Sequence, residues 1–247
     1  MAIDRIRIDL LFHDLKGPLA VIETGINALL NKTDRYGSLT KRQQGVLERA
    51  LRNAKAAQSL VDDTLEVGRS HNGLIKAAPI TLSHFVIDTL QEIFDQVPLP
   101  KTAAIAHRQS LEHLVEALSP AGITLSAQKE YWHSSITIDY KKCKQVLRNV
   151  LLNALKHRNS RVELTIEVKS GTLVLSVFDD GKGIPAAYHK KIFESYFQLD
   201  NEDHVTVRGH GIGLAGVMIL LKDMHGSLEL ESDTNKGAKF IVQIPLQ

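Results

Sequence analysis

The chain has almost no cysteine, no long apolar run and no excess of charge of either sign. A single cysteine, Cys143, rules out an intrachain disulfide and suits a reducing cytoplasm. The longest apolar run, VMILL at 217–221, is far below the roughly 20 residues of a membrane span. The N-terminal stretch MAIDRIRIDLLFHD carries charges through its apolar part, so no signal peptide is expected there. Low-complexity tracts and internal repeats are also missing. Lys and Arg number 30 against 28 Asp and Glu, a net charge of +2. That balance argues against a grip on nucleic acid or anionic membrane as the main activity.

What is present is ample core material. At 247 residues and 43% hydrophobic, the chain can build one large or two ordinary domains.

Residues 4–31 carry a helical pattern in which Leu11, Leu15, Pro18, Ile22, Ile26 and Leu29 share a narrow stripe. Pro18 should kink that helix by removing one backbone bond. TDRYGS at 33–38 reads as a turn, with Gly37 available for an unusual backbone angle. A second helix is expected from near Thr40 to 68–73, with Leu47, Ala50, Leu51, Ala54, Ala57, Val61 and Leu65 on one face. Two such helices cannot bury both stripes alone. Pairing of two hairpins into a dimeric four-helix bundle would do so, and packing on the rest of the chain is the alternative.

Beyond residue 78, helical stretches at 82–96, 110–118, 141–158 and 212–224 alternate with strand-like runs at 161–170, 172–180, 227–233 and 238–246. This is the pattern of an α+β layered domain. Residues 69–79 read as the junction.

Four segments carry chemistry. On the first helix His13 lies about 200° from Leu11, away from the apolar stripe, and Asp14 beside it could orient the imidazole and take its proton. An HD pair alone is more often an exposed surface histidine with no role, in a chain with 11 histidines. On the helix 141–158, Asn149, Asn153 and Lys156 fall on one side opposite Leu147, Val150, Leu151, Ala154 and Leu155. Amide oxygens and an ammonium suit a Mg²⁺–triphosphate, and an ordinary wet helix face fits as well. The strand TLVLSVFDD runs into DDGKGIP, where Gly181 and Gly183 let backbone approach a ligand and Asp179 can accept from an exocyclic amine. RGHGIGL places Arg208 beside Gly209, Gly211 and Gly213 at the start of an apolar helix, an anion-binding arrangement. It lacks the lysine and hydroxyl of a P-loop.

Together these segments resemble the sensor histidine kinases of two-component signalling, with their GHKL-type ATP-binding domain. FHDLKGPL resembles the H box, LRNVLLNALKH the N box, VFDDGKGIP the first glycine box, KIFESYFQ the F box and RGHGIGL the second glycine box. NKGAKF at 235–240 resembles the closing glycine motif.

The resemblance implies an α+β fold with a helical hairpin at 1–70 for dimerisation and phosphotransfer, a hinge at 71–77 and an ATP-binding α/β sandwich at 78–247. It implies a cytoplasmic kinase, alone or as the cytoplasmic portion of a larger sensor, using ATP and Mg²⁺. Its partners would be a second copy of the chain and a response regulator receiver domain, with no nucleic acid. His13 would be the phosphoacceptor with Asp14 as acid/base partner. Asn153 would hold Mg²⁺, and Asn149 and Lys156 would lie near the phosphates. Asp179 would hold the adenine amine in a pocket shaped by Gly181 and Gly183. Residues 198–208 would form a lid anchored by Phe193 and Phe197, with Gly209, Gly211 and Gly213 at its phosphate end.

Three departures stand out. Gly17 occupies a position where phosphatase-competent members commonly carry Thr or Asn. His157 stands where an aromatic is common, beside the ribose or phosphates. Residues 98–110, with their prolines, read as an inserted surface loop.

Overall fold

Strand β5 (Thr172–Asp179) is the middle of the larger of two sheets, and its sequence shows why. Residues Leu173, Leu175 and Val177 are buried in strict alternation with half-buried neighbours, as a strand covered on one face requires. Asp179 occupies the next inward position of that series.

The computed structural model describes residues 2–70, 75–97, 110–193 and 213–247. They divide into two units, Met1–Arg69 and Ser70–Gln247.

In the first unit α1 spans Ala2–Asn31 and continues past Pro18 as one element, giving up one backbone bond there. The expected turn at 33–38 contains a helical turn, α2 (Thr33–Tyr36). Gly37 ends it at φ 85°, donating its N–H to the Thr33 carbonyl at 2.8 Å. A capping box starts α3 (Lys41–Ser70): Gln43 N–H donates to Thr40 Oγ1 at 3.2 Å and Thr40 N–H to Gln43 Oε1 at 2.9 Å.

The second unit opens with β1 (Ala77–Thr81), so the expected hinge at 71–77 is cut short by a strand at its last residue. Next come α4 (Leu82–Gln96), α5 (Leu111–Leu118), β2 (Ile123–Ala127), the short α6 (Lys129–Trp132) and β3 (Ser135–Asp139). Helix α7 (Tyr140–His157), β4 (Val162–Lys169), β5, α8 (Gly213–Asp223), β6 (Ser227–Ser232) and β7 (Ala238–Pro245) complete it. β1 and β3 pair antiparallel by themselves. The larger sheet has the order β2-β4-β5-β7-β6, parallel only between β2 and β4. One apolar cluster joins its inner face to the helices, with Phe85, Leu90, Leu114, Val150, Leu151, Leu220 and Phe240 all fully buried. The buried Lys142 ammonium meets Asp223 at 2.7 Å and ties α7 to α8. The predicted loop at 98–110 falls, except for Ser110, outside the described residues.

Candidate ATP-binding site

Helix α7 begins at Asp139, whose Oδ1 accepts from Lys142 N–H at 3.3 Å. Cys143, Val146, Leu147, Val150, Leu151 and Ala154 sink one side of it into the core. Asn149 and Asn153 remain half-buried on the other side, and Lys156 and His157 are exposed in its last turn, where cations suit the helix dipole. Surrounding protein lowers the Lys156 pKa. It lowers that of His157 too, with the Lys156 charge adding to the effect, so the imidazole is neutral at pH 7.

The end of β5 is seated on that last turn. A Cβ built on Gly181 would run into the His157 carbonyl oxygen, and only glycine lets the two backbones meet there. Asp179, 2% exposed, points to the same layer, and its Oδ1 accepts from Gly181 N–H at 3.0 Å. Burial pushes its carboxyl pKa up, the Gly181 bond opposes this, and the Asp180 charge adds to the rise. Oδ2 takes no hydrogen bond among the described residues and is not shut off from solvent, which leaves an open acceptor on an otherwise buried side chain.

Asp180 has a different task, one the sequence did not disclose. Its carboxylate accepts from the N–H groups of Asn159 at 2.9 Å, Ser160 at 3.0 Å and Arg161 at 2.9 Å, and from Ser160 Oγ at 2.7 Å. The Arg161 N–H, first among these donors, holds its pKa well below the usual carboxylate range. This clamp fixes the loop between α7 and β4 against the end of β5.

The glycine loop is stitched to the β6–β7 hairpin. Gly183 has φ 69° and Gly237 φ 78°; a Cβ on the first would strike the Asp233 carbonyl, and one on the second the Asp179 carbonyl. Ser232 Oγ accepts from Ile184 N–H at 2.8 Å and donates to the Gly237 carbonyl at 2.7 Å. Asn235 N–H reaches the Lys182 carbonyl at 2.6 Å. The closing glycine motif thus acts by packing under Asp179.

Asn149, Asn153, Lys156, His157, Asp179, Gly181 and Gly183 therefore belong to one region of the second unit. Phe193 packs half-buried on the core, and Gly213 opens α8. Arg208, Gly209, Gly211, Phe197 and the expected lid at 198–208 fall outside the described residues. His13 and Asp14 are residues of α1 in the first unit; their side chains are likewise outside the description. Among the described residues no group of three His, Cys, Asp or Glu side chains could cage a metal, and no helix is long and apolar enough to cross a membrane.

Comparison with known proteins agrees with this geometry. Residues 138–247 match the family described as "Histidine kinase-, DNA gyrase B-, and HSP90-like ATPase", and an ATP-binding domain of that family is the class of protein the site defines. Along the rest of its length the chain is similar to sensor histidine kinases. Sensor protein RprX of Bacteroides fragilis is 30% identical over 49% of this chain and 24% of its own length. Sensor histidine kinase YkoH of Bacillus subtilis is 27% identical over 95% of this chain and 46% of its own. The chain therefore spans less than half of each of these two relatives. The fold is shared with full-length ShkA, solved in complex with AMPPNP, at a TM-score of 0.63 and 23% identity over 97% of this chain and 45% of that one. It is shared too with histidine kinase AdeS of Acinetobacter baumannii, at a TM-score of 0.56 and 17% identity over 95% of this chain and 98% of that one.

Proposed function

We propose that the chain is the catalytic core of a cytoplasmic sensor histidine kinase, which transfers the γ-phosphoryl group of ATP to a nitrogen of His13 and then to an aspartate of a response regulator receiver domain. The observation that carries the nucleotide part is the open acceptor oxygen of the otherwise buried Asp179, on the strand end that packs against the last turn of α7. An adenine amine would donate to Asp179 Oδ2. Asn149, Lys156 and Arg208 would stand along the phosphates, with Gly209, Gly211 and Gly213 giving backbone N–H groups. His157, neutral and short, would take the place of an aromatic near the ribose. Asn153 fits Mg²⁺ as a hard amide oxygen, and such an ion takes its other ligands from phosphate and water. When bound, it would neutralise charge on the transferring group.

Asp14 would orient the His13 imidazole and take its proton as the N–P bond forms and the bond to ADP breaks. The hairpin at 1–70 would dimerise: Leu15 is 43% exposed, Ile22 49% and Val46 49%, more apolar surface than a solvated helix needs. A clamp ATPase of the same family and a non-enzymatic binding module are the competing readings. Incubation with γ-labelled ATP separates them: acid-labile label lost in His13→Ala is expected, hydrolysis without label would mark a clamp, and no nucleotide binding would mark a module.

A further inference from the structure

Helix α7 is capped at one end only. Asp139 caps its start, but at the other end the chain leaves through Arg158 in an extended conformation, with no left-handed residue to close the last turn. That turn carries Lys156 and His157, both exposed, and helix ends of this kind fray. What holds it is the next stretch of chain. Asp180 Oδ1 gathers the N–H groups of Asn159, Ser160 and Arg161, and its Oδ2 accepts from Ser160 Oγ. Asn159 Nδ2 returns a bond to the Asp180 carbonyl at 2.5 Å. A carboxylate bound by several N–H groups is a strong anchor.

The sheet does not need this clamp. β4 and β5 pair from Val162 opposite Asp179 to Lys169 opposite Thr172. The two-residue turn between them, Ser170 at φ 48° and Gly171 at φ 75°, sets that register at the far end. The clamp lies at the other end, where α7 hands over to β4. It is also next to the site on both sides. Asp179 offers its open Oδ2, and Gly181 packs on the His157 carbonyl oxygen. Residues 179, 180 and 181 thus carry the acceptor, the clamp and the contact in sequence.

We propose, on the nucleotide reading of this site, that Asp180 is a positioning residue for ATP: it locks the end of α7 to the end of β5 and so sets the distance between the Asp179 acceptor and Lys156. Its own oxygens are taken up by the clamp, so it acts through Asp179 rather than on the nucleotide. A ligand held at both its base and its phosphates is sensitive to that distance.

The test is an ATP titration of the full chain carrying Asp180→Ala, Asp180→Glu, Asp180→Asn or Asp179→Asn, and of the Asp179→Asn/Asp180→Ala double variant, each below the onset of its melt. Asp180→Ala should weaken ATP binding roughly tenfold, the lower end of what one hydrogen bond to a carboxylate contributes. Asp180→Glu keeps the charge but carries the oxygens a methylene too far, and should lose a similar amount. Asp180→Asn keeps an oxygen where the three N–H groups converge, and should recover the native affinity to within about twofold. Added to Asp179→Asn, the Asp180→Ala change should cost less than about twofold more, because the contact it positions is already gone. A role in stability alone would lower the melting temperature and the folded fraction, and leave the affinity of the folded protein unchanged. Native affinity in Asp180→Ala or Asp180→Glu, or a full tenfold loss on top of Asp179→Asn, would overturn the proposal and leave the adenine contact standing. Native affinity in Asp179→Asn would remove that contact, and the proposal with it.

Discussion

Gly181 packs against the His157 carbonyl oxygen with no room for a side chain between them. This contact joins the strand bearing Asp179 to the helix bearing Asn149 and Asn153. Gly181→Ala should therefore separate the two halves of the site. We expect a destabilisation of about 1–3 kcal/mol, the range for an overpacked contact, and weaker ATP binding than that loss alone explains. Thermal melts with and without ATP will measure both.

Asp179→Asn should act in opposite directions on stability and function. The native carboxyl has a raised pKa, so the folded state binds more protons than the unfolded one, and stability is lost as pH rises through the window between the two values. At neutral pH the asparagine removes that penalty while its amide oxygen can still accept from Gly181. The variant should melt no lower than the native chain at pH 7, yet bind ATP roughly tenfold to hundredfold more weakly. A native-like ATP affinity would remove Asp179 from the adenine contact, as would equal use of ATP and GTP.

Asn153→Ala should slow phosphoryl transfer more than it weakens ATP binding. Electrostatic contributions of this kind are typically worth about 3–4 kcal/mol in the transition state. Single-turnover labelling beside a binding titration gives the comparison. Normal labelling would place the metal elsewhere.

His13→Gln should abolish label incorporation and leave ATP affinity within about twofold of native, because α1 and the proposed pocket belong to separate units. Label retained at the native level would transfer the acceptor role to another residue.

Gly17 stands one turn beyond His13 on α1, exposed, and an added Cβ there meets nothing within 4 Å. Substitution is thus sterically free, and leaving glycine should stabilise the helix by up to ~1 kcal/mol. Lacking a side chain to hold a water, the native chain should dephosphorylate a phosphorylated regulator poorly. Gly17→Thr and Gly17→Asn should gain some of that activity, measured as release of phosphate in the presence of ADP. Rapid release by the native chain would show the water to be positioned by other means.

The long elements were legible because their periods are strong. The pattern placed α4 at the observed residues and came within a residue or two of the observed ends of α7, β4, β5 and β7. β1, β2 and β3 escaped because each has five residues, too few for alternation to stand out, and Pro79 in β1 argues against a strand. β1 tolerates it as an edge strand with a single partner. Within the site, Asp179 and its glycines were visible as a motif, while Asp180 was not. Its role depends on three N–H groups of residues 159–161, brought to it only by the pairing of β4 with β5.

Asp139 does two things at once. Besides capping α7, it accepts from Lys76 N–H through Oδ2 at 2.9 Å, close to where the chain enters the second unit. α7 has 18 residues and is thus a rod about 27 Å long. One end is moored to the incoming chain, and the other carries Lys156 and His157 and abuts Gly181. The residue next to the incoming chain and the N-terminal end of the helix that carries Asn149 and Asn153 are thus held by one carboxylate.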